Sequence, residues 1–109
     1  MNFAALIMLL VLVGGSAEAI TGNDWKTFPP LRQEAYIMGV LDGWMFVESA
    51  RRRFNGHPSV VTRINKCTVE KMNYAQVIAV VKKFMEAHPE DWHSSMADLI
   101  WGAFDEICP

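Results

Sequence analysis

Apolar side chains recur every three or four residues in three stretches of the chain, the period of an α-helix with one buried face. The last stretch is the most regular. Met96, Leu99, Ile100, Ala103, Phe104 and Ile107 stand at offsets 0, 3, 4, 7, 8 and 11, while Asp98, Asp105 and Glu106 take the other side. Ser95 and Asp98 are spaced as a capping box, in which each side chain satisfies a free backbone N–H of the other residue. The preceding stretch places Val77, Ile78, Val81, Phe84 and Met85 at offsets 0, 1, 4, 7 and 8. Asn73 and Gln76 form a second box, and Pro89 stops the helix after His88. The β-branched residues here favour a strand locally, but the stripe and the caps outweigh that preference. The longest stretch opens at Pro29-Pro30, since proline is tolerated in a first helical turn. Leu31, Ala35, Met38, Leu41 and Met45 follow at helical spacing, with Val40, Trp44 and Phe46 nearby. They predict a helix from about Pro30 to Arg52. Upstream, Ile20 to Phe28 reads as a polar lead-in with Trp25 as its anchor and Asp24 and Thr27 as candidate caps. Val60 to Lys66 fits either an extended or a helical piece. With no sustained alternation of polar and apolar residues, the pattern predicts a small all-α bundle.

The first residues belong to a different kind of segment. Phe3 to Val13 is an uninterrupted apolar run of 11 residues, followed by Gly14-Gly15 and then Ala17-Glu18-Ala19. A bilayer-spanning helix needs roughly 20 apolar residues. A shorter core ending in small-x-small is a signal peptide. The expectation is residues 1–19 as a signal cleaved after Ala19, and residues 20–109 as an exported, periplasmic helical domain with no membrane segment. An uncleaved short anchor is the competing reading. Both cysteines, Cys67 and Cys108, fall in the mature part, and an even count in an exported chain reads as one disulfide. Closing a loop of this length stabilises by roughly 4 kcal/mol in the chain-entropy description.

Composition narrows function mainly by exclusion. The 109 residues are 51% hydrophobic and 20% charged, with 10 basic and 12 acidic side chains. Losing Glu18 with the signal leaves the net charge near −1, so no general basic field points to nucleic acid. His57, His88 and His93 are scattered, and Pro89 separates the last two, so no metal site is expected. Glu90-Asp91 and Asp105-Glu106 are adjacent pairs that diverge on a helix. Ser94-Ser95 lies outside any nucleophile-elbow motif. The chain is expected to be neither an enzyme nor a cofactor protein.

Four features suggest contacts. Ala35, Gly39 and Gly43, four apart, form a strip without side-chain bulk, suited to close helix packing or to a homodimer. Arg51, Arg52 and Arg53 complement the negative end of their helix, with Glu48 in reach of Arg51 or Arg52. Phe54-Asn55-Gly56-His57-Pro58 is a turn-rich loop whose Phe54 and His57 are candidate anchors for a partner, with Arg51 and Arg52 steering an acidic cleft towards it. Trp92 and His93 in the other loop are the alternative contact, and Trp101 lies off its helix stripe.

The string from Tyr36 to Gly43, then Cys67, then the Gln76–Glu90 stretch with its Lys-x-Phe-x-x-x-His-Pro, then the helix ending at Cys108-Pro109, resembles the Rap/Tai immunity-protein family of type VI secretion systems. The resemblance spans roughly Trp25 to Pro109. It departs at Thr68-Val69, where the family has a proline, and at Cys108-Pro109, where the family tends to end Pro-Cys. It implies an HdeA-like helical fold and a periplasmic protein that binds and neutralises a peptidoglycan-cleaving effector of the cell-wall amidase class. The shared fold also admits an acid-stress chaperone, and the residues alone admit a helical binding protein with another partner.

Overall fold

The computed structural model describes residues 19–109. The expected signal peptide therefore lies outside the described residues, Ala19 excepted. Among the described residues there are five α-helices and a 3-10 turn: α1 (Gly22–Lys26), α2 (Pro30–Arg53), α3 (Val60–Val69), α4 (Tyr74–Ala87), the turn Pro89–Asp91 and α5 (Met96–Ile107). Together they form the small all-α bundle that the apolar period predicts.

The bundle is built around α5, which packs against each of the other four helices. Met96, Leu99, Ile100, Ala103 and Phe104 of its stripe are all buried, three of them completely. Each large side chain among them gains about 1.5–3 kcal/mol from leaving water, which outweighs any difference in helix propensity along the segment. Ile107, the last expected position of the stripe, is half in solvent. On α4 the buried residues are Val77, Ile78, Val81 and Met85, and Phe84 covers the core from the edge while stacking on His88. Both halves of its capping box are formed: Asn73 Oδ1 accepts from the Gln76 N–H and Gln76 Oε1 from the Asn73 N–H, each at 2.9 Å. The Ser95–Asp98 box forms only by half, with Ser95 Oγ accepting from the Asp98 N–H at 3.2 Å. The chain here pairs with the N-terminal segment: Thr21 bridges to Ser95, and the Met96 N–H donates to the Ile20 carbonyl at 2.7 Å.

That N-terminal segment is more ordered than a lead-in. Thr21 and Asp24 cap each other at 3.0 and 3.1 Å, which starts α1. Five residues are too few to display a helical period, so only the anchor was legible. Trp25 is buried, its Nε1 donates to the Gln33 carbonyl at 3.0 Å, and Gln33 Nε2 returns a bond to the Trp25 carbonyl at 3.1 Å. Asp24 and Thr27 thus serve α1, and α2 begins without a side-chain cap on its two prolines. The undecided segment after the 54–59 loop is helical: α3 turns Ile64, Cys67 and Thr68 inwards, at i, i+3 and i+4.

The long helix faces differently from its expected stripe. Ile37, Leu41 and Glu48 are its buried residues, whereas Leu31 and Phe46 are 81% and 73% exposed. Apolar residues lie on every side of α2, so periodicity selects no unique face, and contact with α3, α4 and α5 makes the choice. The strip of Ala35, Gly39 and Gly43 points outwards as a result. A Cβ placed at Gly39 or Gly43 meets nothing within 4 Å, so among the described residues no helix closes on it. Close approach occurs instead at Gly22, where a Cβ would lie 2.7 Å from Leu99 Cδ1 and 3.0 Å from the Trp92 carbonyl.

Cys67 and Cys108 are bonded, with Cα atoms 5.7 Å apart, and tie the last turn of α3 to the end of α5. Arg63 reinforces the same junction by donating to the Cys108 carbonyl at 2.6 Å and pairing with Asp105.

Two glycine variants report this packing in opposite directions. Gly22→Ala is expected to lower unfolding free energy by about 1–3 kcal/mol through overpacking against a backbone carbonyl. Gly39→Ala is expected to raise it by about 0.5–1 kcal/mol, because a helical Cβ enters open space. Urea unfolding of both proteins, monitored by circular dichroism, is the check. Replacing Cys67 and Cys108 together by Ala should cost about 2–4 kcal/mol in the same assay.

Candidate functional site

At its C-terminal end α2 turns into the 54–59 loop and then α3, and one carboxylate organises the corner. Glu48 is only 6% exposed. Arg51 Nε lies 2.9 and 3.0 Å from its two oxygens, Arg51 Nη2 pairs with it as well, and Thr62 Oγ1 donates to Oε2 at 2.6 Å. Arg52 adds a weaker contact at 3.5 Å. The hydrogen bonds from Arg51 and then Thr62 hold the Glu48 carboxyl down at about 2, against burial, and the same pairing raises Arg51. Thr62 relays the constraint, since its Oγ1 also accepts from the Ser59 N–H at 3.0 Å at the start of α3.

Arg51 carries the clamp into the loop. Its Nη1 donates to the Gly56 carbonyl at 2.8 Å, and the Gly56 N–H donates back to the Arg51 carbonyl at 2.8 Å. Asn55 between them sits at φ 55°, the left-handed region that asparagine tolerates better than most residues. The loop is therefore pinned from within, and Phe54 projects from it 79% exposed beside an exposed His57. Of the four residues expected here, Arg52, Phe54 and His57 face solvent. Arg51 does not: Glu48 and the Gly56 carbonyl use its guanidinium, so it shapes the loop rather than meeting a partner.

The alternative pair lies elsewhere. Trp92 is half-buried. Its Nε1 donates to the Met85 carbonyl at 2.8 Å, its carbonyl accepts from the Asn23 N–H at 2.9 Å, and the Lys26 ammonium sits 3.0 Å above its ring. It is a strut between α1 and α4, and only His93 of that pair is exposed. Trp101 is also half-buried and packs edge-to-face on Trp44, ring centres 5.2 Å apart, joining α5 to α2. Since α1 is hydrogen-bonded to the first turn of α2, Trp92 and Phe54 belong to opposite ends of a helix about 36 Å long. They form no common site.

Three residues of the corner carried no signal in the sequence. Thr62 and Asn65 lie on a segment whose conformation was open. Asn65 is buried with its Nδ2 donating to the Trp44 carbonyl at 3.1 Å and its Oδ1 unpartnered. Lys66 is exposed between them and the disulfide. The i, i+3 and i+4 spacing of Ile64, Cys67 and Thr68 was the available clue. Among the described residues no three His, Cys, Asp or Glu side chains converge as metal ligands. No family model, curated protein or solved structure matches the chain.

The clamp has a pH signature. A carboxyl held at about 2, below its ordinary 4.5, stabilises the fold above pH 4.5, and this contribution disappears as pH falls from 4.5 through 2. Glu48→Gln should flatten the acid limb of the stability–pH curve in that window. It should also speed hydrogen exchange at the Gly56 amide at pH 6–7, measured by NMR.

Proposed function

We propose that this protein is a periplasmic immunity-type binding protein, which neutralises a peptidoglycan hydrolase of the amidase class by seating the Arg52–Pro58 corner on it. The observation that carries the reading is the internally pinned loop with an aromatic side chain held 79% exposed where it leaves α2. A large apolar ring kept in water on a pre-ordered loop loses little conformational entropy on binding, which is how interface anchors work. The resemblance to the Rap/Tai family and the signal-like N-terminus support the compartment and the target class. Inhibition by such a domain is steric: Phe54 and His57 occupy or block the cleft, and Arg52 steers the approach.

The test is the product of the adjacent reading frame. Directed to the periplasm of a bacterial host, it should lyse the cells, and co-expression of the full chain should restore growth. Phe54→Ala with His57→Ala should weaken binding by at least about 2 kcal/mol in calorimetric titration without unfolding the domain. Lysis that persists with the intact chain present, or an adjacent product without cell-wall activity, would overturn the reading.

A further inference from the structure

A net charge near zero conceals a polar molecule. Residues 51–71 hold six of the ten basic side chains, Arg51, Arg52, Arg53, Arg63, Lys66 and Lys71, and one acid, Glu70. The remainder of the chain from Ile20 holds four basic side chains and ten acids. Two of the six cations are consumed internally, Arg51 by Glu48 and Arg63 by Asp105 and the Cys108 carbonyl. Arg52, Arg53, Lys66 and Lys71 remain in solvent, and the Arg52 side chain is 66% exposed although it touches Glu48.

The surface between these cations is shaped. A hollow of about 120 Å³ between α2 and α3 is walled by Arg52, Lys66, Met45 and Val69, with Glu48 and Glu70 also on its lining. A second, of about 360 Å³, is walled by Arg63, Lys66, Lys71 and Pro58 beside the disulfide. Thr62 and Lys66 line both, so the hollows form one surface running across α3. Met45, Val60 and Val69 are exposed apolar residues among the cations. A duplex or a lipid surface is met best by an uninterrupted field of cations against phosphates. Here the cations are interleaved with aliphatic side chains and two carboxylates, Glu48 already paired with Arg51 and Glu70 exposed, the mixture found where one protein meets another.

We infer that the α2–α3 limb docks an acidic segment of a protein partner, with its carboxylates on either side of Lys66 and an aliphatic side chain against Met45 and Val69. The inference rests on the binding function proposed above and gives the chemistry of the partner's surface. The remainder of the chain helps to orient that partner, because its acidic side chains outnumber its basic ones ten to four.

The probe is a synthetic peptide of Glu-Glu-Leu repeats, titrated into the isotope-labelled chain 20–109 and followed by NMR. Shift changes should concentrate at residues 52–71, and affinity should fall about tenfold when salt is raised to several times its physiological level. Arg52→Glu with Lys66→Glu should weaken binding about tenfold or more. Lys82→Glu with Lys83→Glu, the same charge change on α4, should leave it within about twofold. Arg52, Lys66 and Lys83 are exposed and Lys82 is half-buried, and circular dichroism verifies the folding of both double variants. Shift changes spread over α4 and α5, equal losses in the two double variants, or tighter binding to a DNA duplex or to phosphatidylglycerol vesicles would each overturn the inference. Any of these results leaves the growth-rescue outcome untouched, so the two proposals fail separately.

Discussion

The buried carboxylate of Glu48 is the interaction on which the α2–α3 end of this molecule depends. A charge held this far from water is destabilising unless every lone pair finds a donor. Arg51, Arg52 and Thr62 supply the donors, and each comes from a different structural need. Arg51 and Arg52 sit one turn further along the same helix, so that part of the arrangement is local. Thr62 sits fourteen residues away, at the start of the next helix, and its reach to Glu48 sets where α3 lies against α2. The loop between them follows, since Arg51 spends its remaining donor on the Gly56 carbonyl. One ionic centre thus ties together the pairing of α2 with α3 and the conformation of the loop between them.

The other half of the molecule is held by different physics. The α1, α4 and α5 side is a hydrophobic core around Phe104, Ile100 and Met96, closed by hydrogen bonds from Trp25 and Trp92 to backbone carbonyls. These two indoles lie where an apolar body and one polar atom are both required, which explains why they are struts and not contacts. The disulfide joins the two halves: Cys67 belongs to the charged α2–α3 limb and Cys108 to the apolar α5. The limb also sends Ile37, Leu41 and Ile64 into the common core, and this covalent link and the Arg63 bonds beside it add to that attachment. A rigid base with a charged, loop-bearing limb is a suitable build for a binding protein, where preorganisation limits the entropy lost on association.

What the residues announced by themselves was decided by interactions close in sequence or by counting. The helices α4 and α5 have stripes of one period and caps three residues apart, and both formed where the pattern placed them. The pairing of Cys67 with Cys108 followed from there being two cysteines in the chain. The contact of Glu48 with Arg51 and Arg52 follows from their spacing within one helix. Tertiary structure decided the rest. It chose the inward face of α2, because a helix with apolar residues on all sides has no preferred side until neighbours arrive, and so Ala35, Gly39 and Gly43 ended outside. It made Gly22 the glycine of close approach, because Leu99 and Trp92 come to it from 70 or more residues away. It drew Thr62 to Glu48, turned Arg51 into a clamp, and left Phe54, His57 and Lys66 in water. A carboxylate about five turns from a helix start looks the same in the sequence whether it faces solvent or a buried threonine; only the packing of α3 across α2 distinguishes the two.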